Sequence, residues 1–138
     1  MGYTLNELSV GQSDSFSKTI SESDIYLFAG VTGDFNPAHV DEENAKGSKF
    51  QSRIAHGMLS AGLISSVLGM KLPGPGSIYL NQTLTFCAPV HIGDTITATA
   101  EILSIDYEKK HVILKTVCYN QEGQIVVKGE AVTSPRRK

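Results

Sequence analysis

Between Gly57 and Leu68, apolar side chains surround the helical axis instead of marking one face: Met58, Leu59, Ala61, Leu63, Ile64, Val67 and Leu68. A helix that is hydrophobic on most sides has to be buried on most sides. The run from Met58 to Met70 is interrupted by Ser60, Ser65 and Ser66 and is shorter than the roughly 20 residues that cross a bilayer, so protein rather than lipid must enclose it. The rest of the chain therefore has to supply a wrapper.

That wrapper is β-like. After Pro73-Gly74-Pro75-Gly76, residues Ile78, Leu80, Leu84 and Phe86 recur with a period near two until Pro89 closes the strand. Three more strands are expected over about Thr95 to Asp106, His111 to Asn120 and Gln124 to Thr133, joined by turns short enough to make antiparallel hairpins. An early strand, Ser13 to Ile20, can complete the sheet. Ser21-Glu22-Ser23-Asp24 has the capping-box pattern, and Ile25, Phe28, Ala29 and Thr32 continue at helical spacing until Gly33 offers a stop. Asp41 to Ala45 fits one further turn, and Lys46 to Arg53 reads as a surface loop. One apolar helix and one long antiparallel sheet pack economically when the sheet curls around the helix, an α+β hot-dog arrangement. The 138 residues make one domain, with its core over about residues 8–133. Such a sheet keeps an uncovered edge, so two copies are expected to pair as a homodimer.

Twelve basic and fourteen acidic residues give a net charge of −2 with no concentrated positive face, which excludes nucleic acid and anionic membranes as expected partners. Arg136-Arg137-Lys138 reads as a frayed, solvated tail. The N-terminal residues have neither the charged start nor the apolar run of a signal peptide. Cys87 and Cys118 lack metal or redox spacing and read as buried reduced thiols, in keeping with a cytoplasmic protein. Four scattered histidines make no metal site.

The chemistry-bearing segment is Gly33-Asp34-Phe35-Asn36-Pro37-Ala38-His39. Asp34 and His39 are five positions apart, which in a helix turns them about 140° from each other and in a strand separates them by roughly 17 Å. Pro37 fixes its own φ and biases Asn36 away from the helical region, so the chain turns there and can fold His39 back towards Asp34. Each residue also has a plain reading: Asp34 as a turn cap, His39 as a surface group beside Asp41. Gly57 adds a backbone N–H at the start of the apolar helix, suited to a developing negative charge on a carbonyl oxygen. Acid, base and oxyanion donor together suit chemistry next to an activated carbonyl: proton abstraction, water addition or acyl hydrolysis. Ser65, two turns beyond Gly57, is a candidate to contact substrate; His56 is a separate candidate that caps the helix; His91 and His111 read as structural.

The 33–39 segment resembles the G-D-x-N-P-x-H signature of the MaoC-like, (R)-specific enoyl-CoA hydratase family, and Ala55-His56-Gly57-Met58, Pro89-Val90 and Gly93-Asp94 resemble further family segments, so the resemblance spans about Leu8 to Thr133. It implies hydration of a trans-2-enoyl thioester to the (R)-3-hydroxyacyl product. Asp34 and His39 would activate the water, Gly57 would hold the thioester oxygen, and Ser65 and Asn36 would serve the substrate-binding side, with Asn36 bracing the loop. No metal or redox cofactor is implied, and coenzyme A arrives as part of the substrate; an acyl-carrier-protein thioester shares the same reacting end. The alternatives are a hot-dog thioesterase and a non-catalytic acyl-thioester or partner-binding module.

Overall fold

Ser21 sets the first long helix. Its hydroxyl accepts the Asp24 N–H at 3.1 Å while the Asp24 carboxylate accepts the Ser21 N–H at 2.9 Å, so two orphan donors are satisfied reciprocally. In the computed structural model, which describes residues 1–138, the chain enters this helix from strand β1 (Ser13–Thr19) and runs through α1 (Glu22–Thr32) to Gly33. Gly33 ends it at φ 82°, a left-handed conformation that glycine adopts without steric cost. Two short helices follow, α2 (Pro37–Val40) and α3 (Glu42–Lys46), and then the long α4 (Gly57–Met70).

Five strands follow: β2 (Ile78–Gln82), β3 (Thr85–Phe86), β4 (Thr95–Asp106), β5 (His111–Tyr119) and β6 (Ile125–Ser134). They form one antiparallel sheet in the order β1-β4-β5-β6-β2, with β3 also paired to β6. Register places Ile102, Leu114 and Ala131 in one row and Ala98, Cys118 and Val127 in another, and all six are buried. These inward rows meet Leu63, Ile64, Val67 and Leu68 of α4 in a single hydrophobic core, so the sheet wraps the helix as the sequence pattern requires.

Four sequence expectations need refinement or correction. First, α4 is buried on most sides as expected, but Met58, Gly62, Ser65, Gly69 and Met70 stay exposed along one face. Second, the strand from Ile78 to Phe86 breaks in two, and Ile78, Leu80 and Phe86 face outward, Ile78 at 61% and Phe86 at 52% exposure, while Leu84 packs on the core. The break is caused by the neighbouring strand β6. The Thr83 hydroxyl accepts the Glu130 N–H at 3.0 Å, and the Thr83 carbonyl presses on Gly129, where a Cβ would lie 1.8 Å from that oxygen. Third, Cys87 is exposed, because it follows the outward-facing β3, whereas Cys118 is buried and its thiol is pushed up to about 12 by burial. Fourth, the tail is pinned as far as Arg136, which bridges Thr4 and donates to the Gly2 carbonyl.

Candidate active site

The turn after Gly33 is built from small polar side chains acting on neighbouring backbone. The Asp34 N–H donates to the Thr32 hydroxyl at 3.2 Å, and the Asn36 N–H donates to Asp34 Oδ1 at 3.2 Å. Asn36 then caps α2 by accepting the Ala38 N–H at 3.1 Å, with Pro37 in the first helical position, where its missing N–H is no loss. One turn of helix carries His39 back over Asp34. The turn-capping reading of Asp34 is therefore true, but it uses only one carboxylate oxygen.

His39 is held by a single bond. Its Nδ1 lies 2.7 Å from the Ile54 carbonyl oxygen, which can only accept, so Nδ1 carries the proton and a neutral ring presents its lone pair at Nε2. Ile54 is itself fixed, since its N–H donates to the Ala38 carbonyl and the adjacent Ala55 N–H donates to the Val90 carbonyl. Arg53, one residue earlier, ties this segment to α1 and α3 through Glu22 at 2.6 Å and Glu42 at 2.8 Å, with a further bond to the Tyr26 hydroxyl. Glu22 and then Glu42 raise the guanidinium pKa above its already high ordinary value, so the clamp is permanently charged.

His56 belongs to this group and not merely to the end of α4. It makes no side-chain cap bond; its Nε2 instead donates to the Asp34 carbonyl oxygen at 2.9 Å. Its ring stacks on His39 with centroids 3.9 Å apart and a 27° tilt, and Phe28 lies against it at 4.8 Å. One ligand-type atom from each of Asp34, His39 and His56 falls within 4.8 Å of the others. This does not make a converging metal set. An ion bound by two imidazoles must lie near both ring planes, and planes tilted by only 27° meet well beyond the roughly 2.1 Å of a metal–nitrogen bond. The sequence marks His56 as a candidate but not its partners, which lie 17 to 28 positions upstream.

Gly57 opens α4, so its N–H has no acceptor in its own helix. A Cβ there would come within 2.6 Å of the Phe86 ring, so the absence of a side chain lets that ring lie across the helix end. Beside it is a cavity of about 400 Å³ walled by Ile54, Ala55, Phe86, Cys87, Ala88 and Val90, among others, with Lys49 at its side. Ser60 also lines it, and its buried hydroxyl has no partner.

Asp34, His39 and Gly57 thus come from adjoining elements, and Asn36 shapes the turn between the first two. Ser65 is not brought to them within one copy. It lies about 12 Å along the helix from Gly57, in a separate groove with Met58, Gly62, Tyr79 and Leu80. Burial pushes the Tyr79 phenol up to about 12, and it donates its proton to Gln82. Phe28 packs on His56, and Leu63 is core. His91 contributes to the turn beside Phe50, and His111 opens β5.

Residues 7–123 match the family described as MaoC like domain. The chain belongs to that family. Among its MaoC-like relatives, the (R)-specific enoyl-CoA hydratase of Rhodospirillum rubrum is 58% identical over 125 residues, which cover 91% of this chain and 86% of that protein. The (R)-specific enoyl-CoA hydratase of Aeromonas caviae is 43% identical over 125 residues, covering 91% and 93%. The fold is shared as well: the unliganded R-hydratase PhaJ1 of Pseudomonas aeruginosa superposes with a TM-score of 0.95 at 44% identity, covering 99% of this MaoC-like chain and 88% of that one.

Proposed function

We propose that this protein catalyses the reversible (R)-specific hydration of trans-2-enoyl-CoA, with Asp34 and His39 acting on the water and the Gly57 N–H receiving the thioester oxygen. The observation that carries the reading is the convergence of the Asp34 carboxylate and His39 around a turn that leaves the second carboxylate oxygen and Nε2 free, next to the N-terminus of α4. Similarity to two (R)-specific enoyl-CoA hydratases over most of each chain supports the same reaction.

In the forward direction a water held between Asp34 and His39 adds its oxygen to C3 while one of the pair takes the water's proton. The pair then returns that proton to C2 on the same face, so its total protonation is unchanged over a cycle. Negative charge builds on the thioester oxygen in between. A backbone N–H already aimed by the helix stabilises it without reorganisation, helped by the positive end of the helix dipole. No metal or redox group enters this chemistry. A coenzyme A thioester and an acyl-carrier-protein thioester present the same reacting end.

The outward apolar face of β2 and β3 together with the open side of α4, Met58, Ile78, Leu80 and Phe86 among them, supports a homodimer formed at this edge, which would cover the Ser65 groove. A monomeric mass in solution at micromolar concentration would count against it. No helix is long and apolar enough to cross a membrane, and two unpaired thiols fit a cytoplasmic setting.

The activity is tested by adding the protein to crotonyl-CoA and following loss of the enoyl-thioester absorbance. Loss of the band with formation of the (R) alcohol is expected. Thiol release from a saturated acyl-CoA, with no hydration, would point to a thioesterase; binding without turnover would point to a binding module.

A further inference from the structure

Beyond the acid, the base and the oxyanion donor, and resting on the hydratase reading, we propose that His56 is a positioning residue: it locks the Asp34 peptide and supplies the flat face on which His39 lies. The residue is 2% exposed, so its contacts are its function. It reaches both members of the pair at once. One nitrogen donates to the backbone carbonyl of Asp34, and the ring face stacks on His39. Phe28 backs the same ring from α1.

The alternative is that His56 merely fills space at the start of α4. Two observations speak against it. His56 is the N-cap, yet its side chain caps nothing. Its second nitrogen, Nδ1, is buried without any hydrogen-bond partner, a feature that costs stability and that a phenylalanine of similar shape would remove. What histidine offers here and phenylalanine cannot is the single N–H aimed at Asp34. That bond spans 22 residues and joins the acid's own peptide to the first residue before Gly57, so it sets the acid's position relative to the oxyanion donor. Misplacing one partner by a fraction of an ångström lowers turnover far more than it lowers binding.

The test compares wild type, His56→Phe and His56→Gln in crotonyl-CoA hydration, in thermal unfolding, and in hydrogen exchange at the Asn36 amide, whose acceptor is Asp34 Oδ1. His56→Phe keeps the ring contacts and loses the donor. It is expected to unfold at or above the wild-type temperature, to lose at least about tenfold in kcat with KM changed by less than about threefold, and to exchange faster at Asn36. His56→Gln, which retains an N–H donor, is expected to regain part of kcat. Wild-type kcat and exchange in His56→Phe would overturn the assignment, and so would a kcat loss that only tracks lowered thermal stability. If the wild-type protein does not hydrate enoyl-CoA, the hydratase reading fails separately, and exchange at Asn36 still decides whether His56 holds Asp34.

Discussion

His39 gives its Nδ1 proton to the Ile54 carbonyl oxygen at 2.7 Å, and that one bond decides which nitrogen faces the chemistry. The acceptor is backbone, tied in turn to α2 and to Val90, so the hydrogen bond that selects the tautomer comes from the fold and not from another titratable side chain. The arrangement separates orientation from basicity, and substitution can test them independently.

An asparagine side chain reaches about as far as Nδ1, so His39→Asn can keep the bond to Ile54 while removing the basic Nε2. The protein should fold and melt close to wild type, with hydration reduced by at least about 100-fold, the lower range for an acid/base group. Melting curves with steady-state rates on crotonyl-CoA check both halves.

Gly57→Ala separates stability from activity in another way. The new methyl meets Phe86 ring atoms at 2.6 to 2.7 Å, but that ring is half exposed and can swing aside, and alanine suits a helix better than glycine. The melting temperature should shift little. Turnover should fall by about tenfold or more, because the methyl and the displaced ring intrude beside the oxyanion donor.

Arg53 is expected to matter for stability more than for chemistry. Its guanidinium is mostly buried, with the side chain 14% exposed, but Glu22 and Glu42 are about half exposed and will rehydrate when it is removed. Arg53→Ala should therefore cost about 1 kcal/mol, nearer a well-formed surface pair than a buried one. The loss should shrink at high salt. Urea titrations at low and high ionic strength measure it.

Asp24 should contribute to an acid limb of stability. The Ser21 N–H bond, against a smaller opposing effect of burial and with help from Lys18, holds its carboxyl below the ordinary 3.8. A carboxyl whose folded pKa lies below its unfolded one binds fewer protons when folded. Its stabilisation is then fully present above the unfolded value and is lost as pH falls through the folded value. The stability gap between wild type and Asp24→Asn should be widest near neutral pH and should close below pH 3.8; unfolding curves across that range test it.

Helix α1 was legible to within a residue because its signals are local: Ser21 and Asp24 cap each other three positions apart, and Gly33 ends the helix by its own backbone freedom. The hairpins of β4, β5 and β6 were legible for the same reason, since short polar turns fix their neighbours. The turn joining Asp34 to His39 could be read from Pro37 and Asn36. What escaped depends on partners far along the chain. The outward face of β2 and β3 follows from their place at the sheet edge, and the strand break from Gly129, 46 residues after Thr83. His56 joins the site through Asp34, His39 and Phe28, none of them close in sequence. Period-two hydrophobicity says that a strand has two faces, but not which face the fold leaves open.

The most direct test of the central claim is the rate of crotonyl-CoA hydration by wild type and Asp34→Asn, measured in parallel with their melting curves. Asparagine can still accept the Asn36 N–H through Oδ1, so the turn should survive. The expected result is prompt hydration to the (R) alcohol by wild type and at least a roughly 100-fold slower rate in the variant at unchanged melting temperature. Equal rates in the two proteins would contradict the assignment of Asp34 to the chemistry.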